Sequence, residues 1–348
     1  MQNKIFSRWL ISAFLAVFVA ACEKAPEQIK LEGKTMGTTY HISYIDDGKA
    51  ANLPEPKAVQ QQLDALLKEV NSQMSTYQKD SQISKFNQFR EVNTPFAVVA
   101  DFAKVVKEAI RLNKVTDGAL DITVGPLVNL WGFGPDKRLN KVPTSEQIAE
   151  RSAWVGLEKL SVQEKDNQFA LLKSEPNLYI DLSSIAKGFG VDKVAEQLES
   201  LGLNNYLVEI GGELRGKGKN LQGKAWQIAI EKPVLEQGSA IETIVPLDNK
   251  GFATSGSYRN YFEDEQGNRL SHIIDPQQHK PIQHNLASIT VIADNSMTAD
   301  GLSTGLFVLG PEKALAVAER EKLAVFLIIK EGQNYQTKMS SEFEKLIK

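Results

Sequence analysis

The chain has 348 residues, of which 42% are hydrophobic and 24% charged, with a formal net charge of −3. This balance suits a soluble globular protein with a sizeable core and excludes disordered, collagen-like and multispanning membrane chains, while the acidic excess argues against nucleic acid as the main partner. The only cysteine is Cys22, so no intrachain disulfide can form and stability must come from packing.

Residues 1–21 begin with Lys4 and Arg8 and continue as an apolar stretch of 13 residues, Trp9 to Ala21. A spanning helix needs about 20. Small residues stand directly before the cysteine in Val19-Ala20-Ala21-Cys22, which resembles a bacterial lipobox. The expectation is a signal peptide over 1–21, a lipidated polar tether over 22–29 and a folded domain over 30–348 that faces the periplasm. Several acyl chains on Cys22 would suffice for stable anchoring to the inner or outer membrane. Loss of Lys4 and Arg8 would take the net charge from −3 to −5.

In chain order, Thr38 to Ile45 alternates with Tyr40, Ile42 and Tyr44 on one face and predicts a first strand. Val59, Leu63, Leu66, Leu67 and Val70 recur at the helical period, as do Phe102, Val105, Val106, Ala109 and Ile110 in a second helix that Gly118 closes. Leu178–Leu182 predicts a strand, 184–201 a helix and Tyr206–Ile210 another strand. Further strands are predicted at Trp226–Ile230, Ile241–Leu247, Ala287–Ala293 and Leu323–Ile329. Strands and helices mix without strict alternation, so the predicted class is α+β, helices on largely antiparallel sheets, rather than a doubly wound parallel sheet.

Several segments could carry chemistry. Gly211-Gly212-Glu213-Leu214-Arg215-Gly216-Lys217 is spaced like a phosphate loop, but Gly218 stands where Ser or Thr is needed and a turn follows instead of a helix, so that reading fails. The Gly211-Gly212 pair after a strand suits either a close ligand approach or a plain tight turn. In Asp181-Leu182-Ser183-Ser184-Ile185-Ala186-Lys187-Gly188 an acid ends a strand and Ser-Ser opens a helix with Lys187 in its first turns. That arrangement suits a phosphorylated ligand, with a simple N-cap and solvated lysine as the structural alternative. Asp300 and Thr304, four apart on a predicted helix, offer hard oxygens to Mg²⁺, or a Thr bonded back to its own helix beside an exposed Asp. None of the four histidines forms a helical metal-ligand pair; His272, in Ser271-His272-Ile273-Ile274-Asp275-Pro276, would present its ring at a strand end. No Gly-x-Ser-x-Gly elbow supports a serine hydrolase.

Together these segments resemble the FAD:protein FMN transferase family. The matching motifs are Met36-Gly37-Thr38, Met74-Ser75-Thr76-Tyr77 with Phe86-Asn87, Thr116 to Leu127, Trp131-Gly132-Phe133-Gly134 and Asp181 to Gly188. They continue with Gly211-Gly212-Glu213, Thr254-Ser255-Gly256-Ser257-Tyr258, His272 to Pro276, and Ala299-Asp300-Gly301 with Thr304.

The resemblance implies a T-fold-related α+β architecture with FAD as substrate between two lobes. Met36, Tyr77 and Ile273 would contact the cofactor-like substrate, the first two along the flavin. Ala119, Leu120, Asp121 and Asp181 would hold the adenosine end, and Lys187 would meet phosphate. Ser184, through its carbonyl, would bind Mg²⁺ with Asp300 and Thr304, and His272 would take the proton of the attacking hydroxyl. The implied reaction moves FMN from FAD to a Thr or Ser of an acceptor flavoprotein and releases AMP. Subunits of sodium-pumping quinone reductase or related electron-transfer complexes are the expected acceptors. Attack by water, making an FAD pyrophosphatase, and a non-catalytic flavin-binding lipoprotein are the alternatives. One departure is local: where the family has Thr-Gly one residue after Asp-Pro, this chain has Gln278-His279, which leaves that loop's conformation open.

Overall fold

The computed structural model describes residues 25–134, 142–232, 241–256, 261–263 and 269–348. Cys22 and Tyr258 lie outside them.

An eight-stranded sheet forms the frame, and its spatial order follows the chain: Glu27–Thr35, Thr38–Asp46, Tyr206–Ile210, Glu213–Lys217, Lys250–Gly256, Leu286–Ala293, Ala324–Glu331 and Asn334–Met339. Every neighbouring pair is antiparallel. The mixed, antiparallel expectation therefore holds. The sheet consists of two runs of the same plan, two strands, a helical excursion and two more strands, with helices entering after Asp46 and again after Ala293.

Tyr40, Ile42 and Tyr44 are buried as their alternation predicts, against Val59, Leu63 and Leu67 of helix Pro56–Met74. Their strand is the second, however. Residues 27–29, expected in the tether, begin edge strand Glu27–Thr35, because main-chain pairing with Thr38–Asp46 does not depend on apolar side chains. The continuous apolar run of Ala324–Glu331 is a strand buried on both faces. Val325, Leu327 and Ile329 enter the main helical core, while Phe326 and Ile328 meet hairpin Trp226–Glu231/Ile241–Leu247 and helix Ser341–Ile347 on the other side.

Leu178–Leu182 is not in a sheet. Its alternation is real, with Leu178, Ile180 and Leu182 fully buried, but its polar partners come from elsewhere. The Asn87 side chain accepts from Ile180 N–H (2.8 Å) and donates to Ile180 C=O (2.9 Å), standing where a neighbouring strand would. Asp181 N–H donates to Ile122 C=O at 2.8 Å, and Lys173 Nζ donates to Leu178 C=O at 3.0 Å. This segment carries Asp181 towards the site.

The two halves of the sheet join only along Lys250–Gly216, Gly251–Arg215 and Phe252–Leu214. Beyond Phe252 and Leu214 the ladder ends, and the functional cavity lies where the strands part.

Candidate functional site

Turns and helices from both runs of the sheet meet at this opening. Gly211 and Gly212 form the two-residue connection between strands Tyr206–Ile210 and Glu213–Lys217, with φ of 60° and 104°. Positive φ at both positions is what a tight hairpin of this kind asks and what glycine supplies. The tight-turn reading of the pair therefore holds, and the turn also lines the cavity.

The cavity holds about 490 Å³, within the usual range for small-molecule sites. Tyr77, Ala119, Leu120, Asp121, Asp181, Ser184 and Lys187 line it from the first of the two runs. From the second run come His272, Ile273, Asp300 and Thr304. Val124, Val128 and Phe133 add an apolar wall, and Tyr77 stands at 72% exposure. Met36 is the exception. It does not line the cavity but occupies the turn between the first two strands at φ 50° and packs against both neighbouring cores. Its sulfur lies 3.2 Å from where a Cβ on Gly190 would stand. A motif read along the sequence does not report which way such a turn directs its side chain.

The charged centre is built by two helices and a strand. Lys187, in the first turn of helix Ala186–Ser200, sits 3.1 Å from Glu213 Oε1 and 3.7 Å from Asp300 Oδ1. Asp300 is 2% exposed on helix Ser296–Leu309, and its Oδ2 accepts Gly188 N–H at 2.9 Å. Thr304, one turn on, stands 3.4 Å from Ser255 Oγ. Burial alone would pull the Lys187 ammonium down, yet Asp300 and Glu213 hold it above its ordinary value. Burial pushes the Asp300 carboxyl up against the pull of Lys187. Burial, helped by Asp300, pushes Glu213 up to about 8, with Lys187 opposing. Lys187, expected to meet phosphate, is thus already held by two acids. Glu213 had no assigned role in the sequence reading, although it belongs to the family motif Gly211-Gly212-Glu213.

A cation site fits these residues. Glu213 Oε2 is buried without a hydrogen-bond partner, and no group of three His, Cys, Asp or Glu side chains could hold a metal among the described residues. Asp300, Thr304 and the Ser184 carbonyl would supply hard oxygen donors, and Mg²⁺ takes such a partial set when substrate phosphates and water complete it.

Asp121 Oδ1 accepts from Thr123 N–H (2.7 Å) and Oγ1 (2.6 Å), and burial pushes its carboxyl up. Asp181 Oδ1 accepts Ser183 N–H at 2.8 Å. His272 follows strand Arg269–Ser271, at a strand end as expected, and lines the cavity half-buried. Asp275 caps the following turn, accepting Gln277 N–H at 2.8 Å and Gln278 N–H at 3.0 Å. His279 keeps a left-handed φ of 60° without glycine there; its N–H donates to Asp275 C=O at 2.8 Å and its C=O accepts Trp131 Nε1–H at 3.3 Å.

Residues 36–327 match the model of the ApbE family. The chain belongs to that family. It is 59% identical over 337 residues to the FAD:protein FMN transferase of Haemophilus influenzae, covering 97% of this chain and 96% of that protein. To the FAD:protein FMN transferase of Vibrio cholerae it is 50% identical, covering 97% and 98%. Among solved structures, the flavin transferase ApbE from Vibrio cholerae superimposes with a TM-score of 0.84 at 49% identity, covering 92% of this chain and 99% of that one. The apo flavinyl transferase ApbE of Pseudomonas stutzeri gives 0.84 at 40% identity, covering 92% and 97%. In this ApbE family member, residues from most of the shared motifs line one cavity, while Met36 and Phe86 pack in the core and Asn87 holds Ile180.

Proposed function

We propose that this ApbE family protein transfers the FMN part of FAD to a Thr or Ser hydroxyl of acceptor flavoproteins, with Mg²⁺, and releases AMP. The observation that carries this reading is the single cavity in which an imidazole, a lysine held by acids, hard oxygen donors and an apolar wall meet. The apolar wall and Tyr77 receive the flavin, and Asp121 and Asp181 receive the adenosine end. The acceptor hydroxyl oxygen bonds to the FMN-side phosphorus as the bond from that phosphorus to the AMP oxygen breaks. His272 takes the hydroxyl proton, and Lys187 meets charge on the phosphates. Ser184, Asp300 and Thr304 would hold Mg²⁺, which would supply positive charge against the pyrophosphate and departing AMP. Positioning supplies much of the rest.

Subunits of sodium-pumping quinone reductase or related electron-transfer complexes are the proposed acceptors. Cys22, at the end of a leader too short to span, is the proposed lipid anchor of a periplasm-facing enzyme. Labelled fatty acid should enter the wild-type protein and not Cys22→Ser.

Incubation with FAD, Mg²⁺ and an acceptor, followed by intact mass of the acceptor, tests the reaction. The expected result is a gain of one FMN per acceptor. AMP with free FMN would make water the nucleophile, and bound FAD without either product would make the protein a carrier.

A further inference from the structure

Helix Ser296–Leu309 carries Asp300 and Thr304, yet its start is not capped only from its own chain neighbourhood. Asn295 provides the local part: its side chain accepts Thr298 N–H at 2.8 Å and its C=O accepts Ala299 N–H at 3.2 Å. The first two N–H groups instead reach another helix. Ser296 N–H donates to Asp192 Oδ1 at 3.0 Å and Met297 N–H to Asp192 Oδ2 at 2.8 Å. Asp192 is 4% exposed on helix Ala186–Ser200, whose own Gly188 N–H donates to Asp300. Each helix therefore offers a carboxylate to main-chain N–H groups of the other.

The approach between them is as close as backbones allow. A Cβ on Gly188 would stand 2.3 Å from Ser296 C=O, and one on Gly251 2.3 Å from Ser296 N. Arg215 completes the arrangement. Its guanidinium lies 3.1 Å from Asp192, and it shares one face of its strand with Glu213, the partner of Lys187. One strand thus addresses the helix at Lys187 through Glu213 and at Asp192 through Arg215. Asp300 follows Ser296 by about one turn, roughly 6 Å along the axis, so any slip at the helix start moves its carboxylate.

We propose that Asp192 is a positioning residue of the site: by holding the Ser296 and Met297 N–H groups it sets where Asp300 and Thr304 stand relative to Ser184 and Lys187. Asp192 does not line the cavity. The inference rests on the reading that Asp300 and Thr304 hold Mg²⁺. Removing an outer partner of this kind typically weakens metal binding about 10–100-fold.

The test compares the full folded chain with Arg215→Met and with Asp192→Leu/Arg215→Met, which leaves no unpaired buried charge. Flavin fluorescence reads FAD binding in EDTA and across an Mg²⁺ titration. Expected for Arg215→Met, which keeps both N–H acceptors, is a half-saturating Mg²⁺ within about three-fold of wild type. The double variant should need about ten-fold more Mg²⁺ or beyond, with FAD affinity in EDTA within about two-fold. A wild-type Mg²⁺ requirement in the double variant, or equal rises in both variants, would overturn the role of Asp192. Should the double variant not fold, Asp192→Asn, with one accepting oxygen left, should raise the requirement about three-fold or more, and no change would overturn the proposal. If FAD binding by wild type and by Asp300→Ala ignores Mg²⁺ alike, the cation reading itself falls, a result distinct from the others.

Discussion

Two lysines are drawn into this protein, one at the site and one in the supporting core, and their surroundings push them in opposite directions. Lys187 stands between Glu213 and Asp300, and these acids keep it charged against the cost of burial. Lys173 is 1% exposed on strand Gln168–Lys173, donating at 3.0 Å to the C=O groups of Phe86 and Leu178 and lying 4.5 Å from the Phe86 ring centre. Burial, with Arg90 adding repulsion, lowers it to about 8. A buried lysine is therefore not in itself a mark of chemistry; the charges facing it decide. At the site, two acids hold the charge. In the core, dipoles pin the segment Leu178–Leu182, which then delivers Asp181.

Substitutions on the two sides should separate into loss of rate and loss of stability. The largest expected effect is at His272. His272→Ala should slow single-turnover FMN transfer by about 10²–10⁴-fold while FAD affinity stays near wild type; a rate within a few-fold of wild type would require another base. Asp300→Asn keeps an oxygen for Gly188 N–H but loses the charge, and should cost about a hundred-fold or more in transfer at limiting Mg²⁺, with a nearly unchanged thermal midpoint.

On the structural side the effects are smaller and of another kind. Asn87→Ala leaves the N–H and C=O of buried Ile180 without their partner, at about 1–3 kcal/mol for each group. Denaturant unfolding should show the loss, and FAD affinity should fall with it because Asp181 is the next residue. Lys173 should appear as a pH effect. The unfolded chain keeps this proton to its ordinary value of 10.5, whereas the fold releases it near 8. The unfolded state binds more protons in that window, so stability rises from pH 8 towards 10.5 and the burial cost is at its full value below 8. Lys173→Met should flatten that rise in unfolding free energy, and an unchanged slope would show that Lys173 does not titrate there. Smallest is His279→Gly, which relieves a left-handed φ of 60° and should stabilise the protein by at most about 1 kcal/mol.

Periodicity determined the amphipathic elements. Val59 to Val70 and Phe102 to Ile110 became helices, and Tyr40, Ile42 and Tyr44 one buried face, because burial of apolar surface acts on side chains that the sequence displays directly. Edge strands such as Glu27–Thr35 and Asn334–Met339 carried too little of that signal, since main-chain pairing holds them. Local motifs likewise marked the residues around the cavity, His272, Asp300 and Thr304 among them, but only the tertiary structure decided their company. That Lys187 faces Glu213, that Asn87 stands in for a strand beside Ile180, and that Asp192 caps a helix 104 residues away are pairings between distant segments. Hydrogen bonds and ion pairs of this sort depend on distances of about 3 Å, which the sheet and its glycine-permitted helix contact impose and which no spacing along the chain expresses.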